Sequence, residues 1–247
     1  MTRALRAELL KLRTARTFWA LAGATVGLVV LITVLTLALT DEFRTEDEAR
    51  SVLSTASASG LLMLVLGVVA SAGEYRHGTI ASTLLFTPRR LRVIAAQALA
   101  CGVTGLVVGL AAAALTAAIA LPWLSAKGAP SLSTGELLGL FFGGGLYTAL
   151  AAALGAGVGA LLRNQVVAVV LVLVVLFIVD PLVSSLVEDY SKFSLNGLGL
   201  SMSGGSGDDL TVEGSDLLPF GVAALVWAGY TAVLVIAAAI LTARRDI

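Results

Sequence analysis

Residues 166–187 read VVAVVLVLVVLFIVDPLVSSLV, and the first fourteen of them carry no polar side chain. A helix crosses the hydrocarbon core of a bilayer with about 20 mostly apolar residues. The stretch therefore predicts a membrane-spanning helix. Its two unusual members, Asp180 and Pro181, follow directly after the apolar run.

Outside this stretch, the chain repeats the same pattern. Five more long apolar runs predict spans at about 18–39, 52–72, 93–121, 137–162 and 217–243. Hydrophobic residues make up 58% of the 247 residues and charged residues 13%, against roughly 45–50% and about 25% in soluble domains. The sequence thus predicts an all-α polytopic membrane protein with six transmembrane helices in one domain, residues 1–247.

The basic residues indicate how the spans are oriented. Six spans place both termini on one side, and twelve of the sixteen Lys and Arg residues then lie on that side. By the positive-inside rule, the N- and C-termini are expected in the cytoplasm and the loop 188–216 outside. The first apolar run exceeds the usual 7–15 residues of a signal peptide and predicts a retained span.

An amphipathic segment, residues 2–16, precedes the first span. Leu5, Leu9 and Leu12 recur at helical spacing, as in an elbow helix lying at the membrane surface. The cations predicted to anchor it are Arg6, Lys11 and Arg13. The alternative is an ordinary basic flank attracted to anionic lipid.

The connection between the second and third spans, residues 73–90, reads GEYRHGTIASTLLFTPRR. Thr79 can cap a short helix, and Pro88 disfavours helix in the residue before it. The pattern predicts a short amphipathic helix on the cytoplasmic face with Ile80, Leu84 and Leu85 exposed. Such a helix either docks a soluble partner or lies on lipid, and periodicity leaves both open.

Two polar residues within the apolar runs form a possible intramembrane polar site, Asp180 and Gln97. Carboxylates inside a membrane are functional candidates by default. For Asp180 the alternative is that the span breaks there, because Pro181 disfavours helix in the residue before it. The single cysteine, Cys101, is interpreted as a packing residue.

Motifs for catalysis and nucleotide binding are weak. Residues 155–159 read GAGVG but lie inside a predicted span without a preceding strand, so they predict a packing helix. The chain has no Gly-Lys-Ser or Gly-Lys-Thr of a phosphate-binding loop. The one protease-like combination, Ser201 with His77, falls on opposite faces of the predicted topology. We predict no enzyme activity, no cofactor or metal in this chain, and, from zero net charge, no nucleic-acid partner.

The pattern of the 73–90 segment resembles the permease subunits of type-2 ATP-binding cassette transporters. The matching residues are Glu74, Gly78-Thr79-Ile80, Leu84-Leu85, Pro88 and Arg89-Arg90. The opening ELLKLR at 8–13, followed by Thr17-Phe18-Trp19, is similar to the start of many bacterial members. With the six spans, the resemblance covers nearly the whole chain.

The resemblance implies that the 79–86 helix is a coupling helix seated in a groove of an ATPase subunit. Ile80, Leu84 and Leu85 would dock, Glu74 and Arg76 would bracket the joint, and Arg89 with Arg90 would anchor the third span at the lipid surface. Two ATPase subunits would carry ATP and Mg, and a second permease copy or a paralogue would complete the path. The implied setting is a bacterial plasma (inner) membrane, and the implied direction is export.

Two features leave other readings open. The family often has a re-entrant element before the sixth span, and residues 182–186 are a candidate part of one, but the Gly- and Ser-rich residues 191–207 predict a flexible loop. An ATP-independent secondary transporter or channel is the alternative function, and it predicts ionisable residues near the midplane and an internal repeat. A purely structural membrane protein remains a third class, and the substrate is not predicted.

Overall fold

The protein is described by a computed structural model over residues 2–40, 43–76, 78, 90–204 and 217–244. These residues are mostly helical and include no strand. Six helical stretches are long and apolar enough to cross a membrane: Arg16–Leu39, Glu46–Arg76, Leu91–Ala126, Thr134–Leu162, Gln165–Leu186 and Phe220–Thr242. The prediction of an all-α protein with six spans is confirmed.

The helices are numbered in chain order. They are α1 (Thr2–Thr14), α2 (Arg16–Leu39), α3 (Glu46–Ser54), α4 (Ser59–Arg76), α5 (Arg90–Ala126), α6 (Thr134–Leu162), α7 (Gln165–Val174), α8 (Asp180–Leu186), α9 (Leu195–Ser203) and α10 (Phe220–Arg244). A π-helical turn, Val175–Val179, joins α7 to α8 into one span. The predicted elbow segment is the helix α1, whereas the predicted coupling helix over 79–86 lies outside the described residues.

The bundle has two ends. At the elbow end, Leu12 of α1 and Phe18 of α2 pack in one cluster with Ala98 of α5. At the loop end, Leu37 of α2 packs with Leu124 near the end of α5. Successive spans therefore run in opposite directions, and the end of α4 and the start of α5 lie at the elbow end.

The second span begins earlier than its apolar run. Thr45 accepts a hydrogen bond from the Glu48 amide at 3.3 Å, and Glu48 accepts one from the Thr45 amide at 3.2 Å. This reciprocal capping box starts α3 at Glu46, inside a charged stretch where hydropathy gives no signal. A 3₁₀ turn, Thr55–Ala58, then leads into α4.

Close helix contacts hold α6 against α4. A Cβ on Gly155 would overlap the carbonyl oxygen of Leu64, and a Cβ on Gly159 would lie 2.6 Å from that of Val68. The GAGVG stretch is thus a packing surface, as predicted. By contrast, Gly27 of α2 has nothing within 4 Å of its Cβ position, so this glycine makes no such contact.

The segment after the fifth span returns into the bundle. The span ends at Leu186, a 3₁₀ helix covers Glu188–Phe193, and α9 follows with Leu198 and Met202 fully buried. Asn196 of α9 contacts Leu176, ten residues before the end of the span, a distance of about 15 Å along a helix. The predicted flexible loop over 191–207 is therefore wrong for residues 191–204, which form the returning part of a re-entrant element.

Candidate functional site

The last turn of α4 joins three other parts of the protein. Glu74 contacts α1, Tyr75 contacts the turn between α6 and α7, and Arg76 contacts the start of α7. We call residues 74–76 the α4 junction. The junction directly precedes the 77–89 connection to the third span.

Glu74 belongs to an ion cluster with two residues of α1. The Lys11 ammonium nitrogen lies 2.7 Å from Glu8 Oε1 and 2.8 Å from Glu74 Oε1. Glu8 and Glu74 are buried, with 6% and 9% of their surface exposed, while Lys11 is more exposed than either. Charge-assisted hydrogen bonds between oppositely charged groups are stronger than neutral ones, so the cluster fastens the elbow helix to α4.

The burial of this cluster shifts the pKa values of its two elbow-helix members. Desolvation raises the pKa of the Glu8 carboxyl above its ordinary value, although Lys11 acts against the shift. For Lys11, burial acts to lower the pKa, but the hydrogen bonds to Glu74 and Glu8 outweigh it and the pKa is raised. The ammonium is therefore held in its charged form by the two carboxylates.

The other two junction residues contact the α6–α7 turn. The Arg163 guanidinium lies 5.2 Å from the centre of the Tyr75 ring, a cation–π contact. Arg163 ends α6 in the left-handed conformation with φ of 56°, and the Asn164 side chain accepts from the first amides of α7. Arg76 Nη1 lies 3.4 Å from Gln165 Oε1. The turn is fixed by its own caps and also held by α4.

Gly78 ends the described part of this region. Its amide donates to the Tyr75 carbonyl at 3.3 Å, and its φ is +68°. Glycine adopts this conformation without the strain of a Cβ, so the residue turns the chain out of α4. The remaining predicted coupling residues lie outside the described residues: Thr79, Ile80, Leu84, Leu85 and Pro88.

The predicted surface anchors separate into two groups. Arg6 and Arg13 are exposed on α1, which leaves them able to meet lipid head groups. The ammonium of Lys11 instead contacts protein carboxylates. Arg89 lies outside the described residues, and Arg90 begins α5 with its side chain not described.

Gln97, one of the two predicted intramembrane polar residues, lies in α5 behind the ion cluster. Its Oε1 accepts a hydrogen bond from the Ser71 hydroxyl at 3.0 Å, and the residue is 4% exposed. It shares a cavity lining with Glu8, Lys11 and Glu74. The structure thus brings Gln97 together with the junction and leaves Asp180 elsewhere.

Asp180 anchors the re-entrant element. It is 1% exposed, and its carboxylate accepts from the amides of Leu195 and Asn196 and from the Tyr190 hydroxyl, at 3.0–3.2 Å. The two amides belong to the first turn of α9, where a helix offers unpaired N–H groups and favours negative charge. The described contacts therefore indicate a structural role for Asp180, whose carboxylate holds the first turn of α9.

The span does not break at Pro181, contrary to one prediction. The Asp180 amide donates to Val175 five residues back, as in a π-helix. The Leu176 carbonyl then lacks an intrahelical donor, because Pro181 has no N–H. Asn196 Nδ2 supplies the missing hydrogen bond at 3.0 Å, so the re-entrant element also completes the helix that holds it.

The part of the chain that the structure describes offers no group of three or more His, Cys, Asp or Glu residues placed to hold a metal ion. Ser201 lies in α9 and donates to the Gly197 carbonyl. Its suggested partner, His77, is outside the described residues. The described contacts thus give Ser201 a backbone partner and no catalytic one.

Six apolar spans, an elbow helix fastened to the second span and a re-entrant element before the sixth define a polytopic α-helical membrane protein. Residues 4–179 match the ABC-2 family transporter protein family. Because this match covers more than half of the chain, the protein belongs to that family, and it is a membrane permease of the ATP-binding cassette type. No curated protein matches the chain.

Proposed function

We propose that the protein is the membrane subunit of an exporter and that a separate ATPase subunit drives it. Two copies of the ATPase, carrying ATP and Mg, would bind a pair of permeases formed by this chain with itself or a paralogue. The family supports the permease role. The proposal adds the ATPase partner, the pairing of two permease chains and the direction of transport.

The observation that carries the coupling proposal is the α4 junction. Three consecutive residues connect the end of α4 to α1 and to the α6–α7 turn. The 79–86 segment, with its predicted docking face, begins three residues beyond the junction. A displacement of that segment would therefore reach the elbow helix α1 and the second, fourth and fifth spans through these contacts, as coupling between sites requires.

We further propose that the elbow end faces the cytoplasm of a bacterium, in its plasma membrane. Most Lys and Arg residues belong to this end by sequence, which follows the positive-inside rule. Reporter fusions test the orientation. A cytoplasm-active reporter at the N-terminus and a periplasm-active reporter within 205–216 are both expected to function, and the reverse pattern would contradict the proposal.

Coupling is tested by co-expressing the chain with candidate ATPase subunits and measuring their retention on the purified permease. Leu84→Asp with Leu85→Asp is expected to abolish retention, because two charges would replace the predicted apolar face. Ser82→Asp is the matched control, since it places a charge on the polar side of the same predicted helix. Retention is expected to survive this control.

A second pair of variants separates docking from transmission. Glu74→Gln and Lys11→Met should keep the ATPase bound but reduce its stimulation by the permease in nanodiscs, because they loosen the junction behind the docking segment. Loss of retention in both would mean that these residues serve docking or folding instead. Failure of every candidate ATPase to bind the wild type would refute the proposed partner.

A further inference from the structure

A cavity of about 470 Å³ lies at the elbow end between α1, α2, α4 and α5, and Gln165 of α7 borders it. Cavities of about 300–1,000 Å³ hold small-molecule ligands in proteins. One wall is apolar, with Leu12, Phe18 and Leu66 among its residues. The opposite part is polar and includes the ion cluster.

Two nearly buried side chains that line the cavity have unused hydrogen-bonding atoms. Glu8 Oε1 accepts from Lys11, but Glu8 Oε2 accepts no hydrogen bond within the described residues. Gln97 Oε1 accepts from Ser71, while its Nε2 donates to no described residue. Both atoms remain accessible at the cavity, so a ligand or solvent can form hydrogen bonds with them there.

The chemistry of the polar part of the cavity determines which kind of head group a ligand would carry. An ionised carboxylate accepts hydrogen bonds and does not donate them, so a ligand group that bonds to Glu8 Oε2 must be a donor, and a cationic donor forms the strongest bond. The position of the Lys11 ammonium, between two carboxylates at 2.7 and 2.8 Å, shows that a primary ammonium fits here. A quaternary ammonium has no N–H to donate, and Phe18 is the single aromatic side chain in the described lining.

We propose that this cavity binds an amphipathic primary amine, with its ammonium at Glu8 and its alkyl chain along the wall formed by Leu12, Phe18 and Leu66. The ligand enters from the bilayer surface beside the elbow helix. Gln97 Nε2 lies in the same lining and donates to any carbonyl or hydroxyl near the amine. The site is separate from the proposed docking segment and does not depend on an ATPase partner.

The test uses purified protein in phosphatidylcholine nanodiscs, because the head group of this lipid carries no primary amine. Binding of dodecylamine is measured beside two probes of equal chain length, dodecanol and dodecyltrimethylammonium. We expect dodecylamine to bind about tenfold more tightly than either, which corresponds to one additional charge-assisted hydrogen bond. Equal binding of all three would overturn the proposal and leave an unselective acyl crevice.

Variants locate the site and distinguish ligand contacts from folding. Glu8→Gln is expected to remove the amine preference, whereas Lys11→Met should strengthen amine binding, because it vacates the place of a competing ammonium. Ala70→Phe fills the cavity and should weaken all three probes. Glu46→Gln, exposed on α3 at the other end, is the control and should change nothing.

Glu8→Gln and Lys11→Met are expected to change amine binding in opposite directions, which distinguishes a ligand contact from a folding role. A cluster that serves folding alone would weaken binding of every probe in both Glu8→Gln and Lys11→Met. If Glu8→Gln does not yield monodisperse protein, Lys11→Met and Ala70→Phe decide the question by the same comparison. Undiminished binding of dodecylamine in Ala70→Phe would place the bound amine outside this cavity and refute the proposal.

Discussion

The ion cluster predicts that Glu74→Gln has opposite effects on stability depending on whether Lys11 is present. In the wild type, Glu74 shares the Lys11 ammonium with Glu8, so neutralising Glu74 removes a favourable charge pair. In a Lys11→Met background, two carboxylates with 8% and 10% side-chain exposure face each other without this cation. Neutralising one of them then relieves repulsion and should stabilise the protein.

The magnitude follows from the burial of the three groups. Removing one partner of a fully buried ion pair costs about 3–5 kcal/mol, but Lys11 is 44% exposed and water screens part of its interaction. We therefore expect Lys11→Met to cost roughly 1–3 kcal/mol after this discount. Glu74→Gln in that background should recover part of the loss, and Met retains the packing of the lysine stem.

The assay is thermal unfolding of the four proteins of the cycle in one detergent at one scan rate. One kcal/mol corresponds to a shift of about 2–4 °C for a chain of this size, so a change of sign is measurable. The matched control is Arg50→Met with Glu136→Gln at the loop end, where one arginine meets one carboxylate at 2.5 Å. No sign change is expected there. A Glu74→Gln effect of the same sign and size in both backgrounds would refute the reasoning.

Three further predictions concern stability. Gly155→Ala should lower the melting temperature by overlap with α4, at a cost of about 1–3 kcal/mol, whereas Gly27→Ala, with open space around it, should be neutral or stabilising; equal shifts would contradict the packing role. Asp180→Asn should destabilise by about 1–3 kcal/mol, because an amide cannot accept all three hydrogen bonds, and exposed Asp189→Asn serves as the control. For Glu8, the raised pKa means that the folded protein binds the proton more tightly than the unfolded chain, so this group's contribution to stability falls as pH rises above about 4.5. The melting temperature of the wild type minus that of Glu8→Gln should therefore decline between pH 4 and pH 7. A constant difference would refute the raised pKa of Glu8.

The spans could be predicted from the sequence because apolar length decides them. The stretch 166–179 carries no polar side chain, and a helix in lipid satisfies its own backbone hydrogen bonds. The start of α3 was missed by the same criterion, since Glu46 and its neighbours are charged. A local signal was present, because Thr45 and Glu48 have the spacing of a capping box.

The ion cluster could be predicted only in part. Glu8 lies three residues before Lys11 and on the same helical face as Leu5 and Leu12, and a carboxylate on an apolar face indicates a buried partner. Its second neighbour, Glu74, is 63 residues from Lys11 in sequence. No periodicity within either helix specifies that pairing, because it depends on how α1 packs against α4.

The re-entrant element was misjudged because its composition resembles that of a flexible linker. Gly197 is required by packing, since a Cβ there would overlap the Ser191 carbonyl. Ser194 caps α9 by accepting from the Gly197 amide at 2.8 Å. Small and hydroxyl residues thus serve close packing and capping here, and composition alone does not distinguish these roles from flexibility.

The ion cluster belongs both to the α4 junction and to the proposed amine site, and this sharing has a physical consequence. Lys11 divides its hydrogen bonds between Glu8, which lines the cavity, and Glu74, which ends α4. A ligand ammonium at Glu8 competes with Lys11 for the Glu8 carboxylate and leaves Lys11 bound to Glu74. Occupation of the cavity would therefore leave the Lys11 ammonium free to align its hydrogen bond with Glu74 alone, and this charge-assisted bond links the elbow helix to α4.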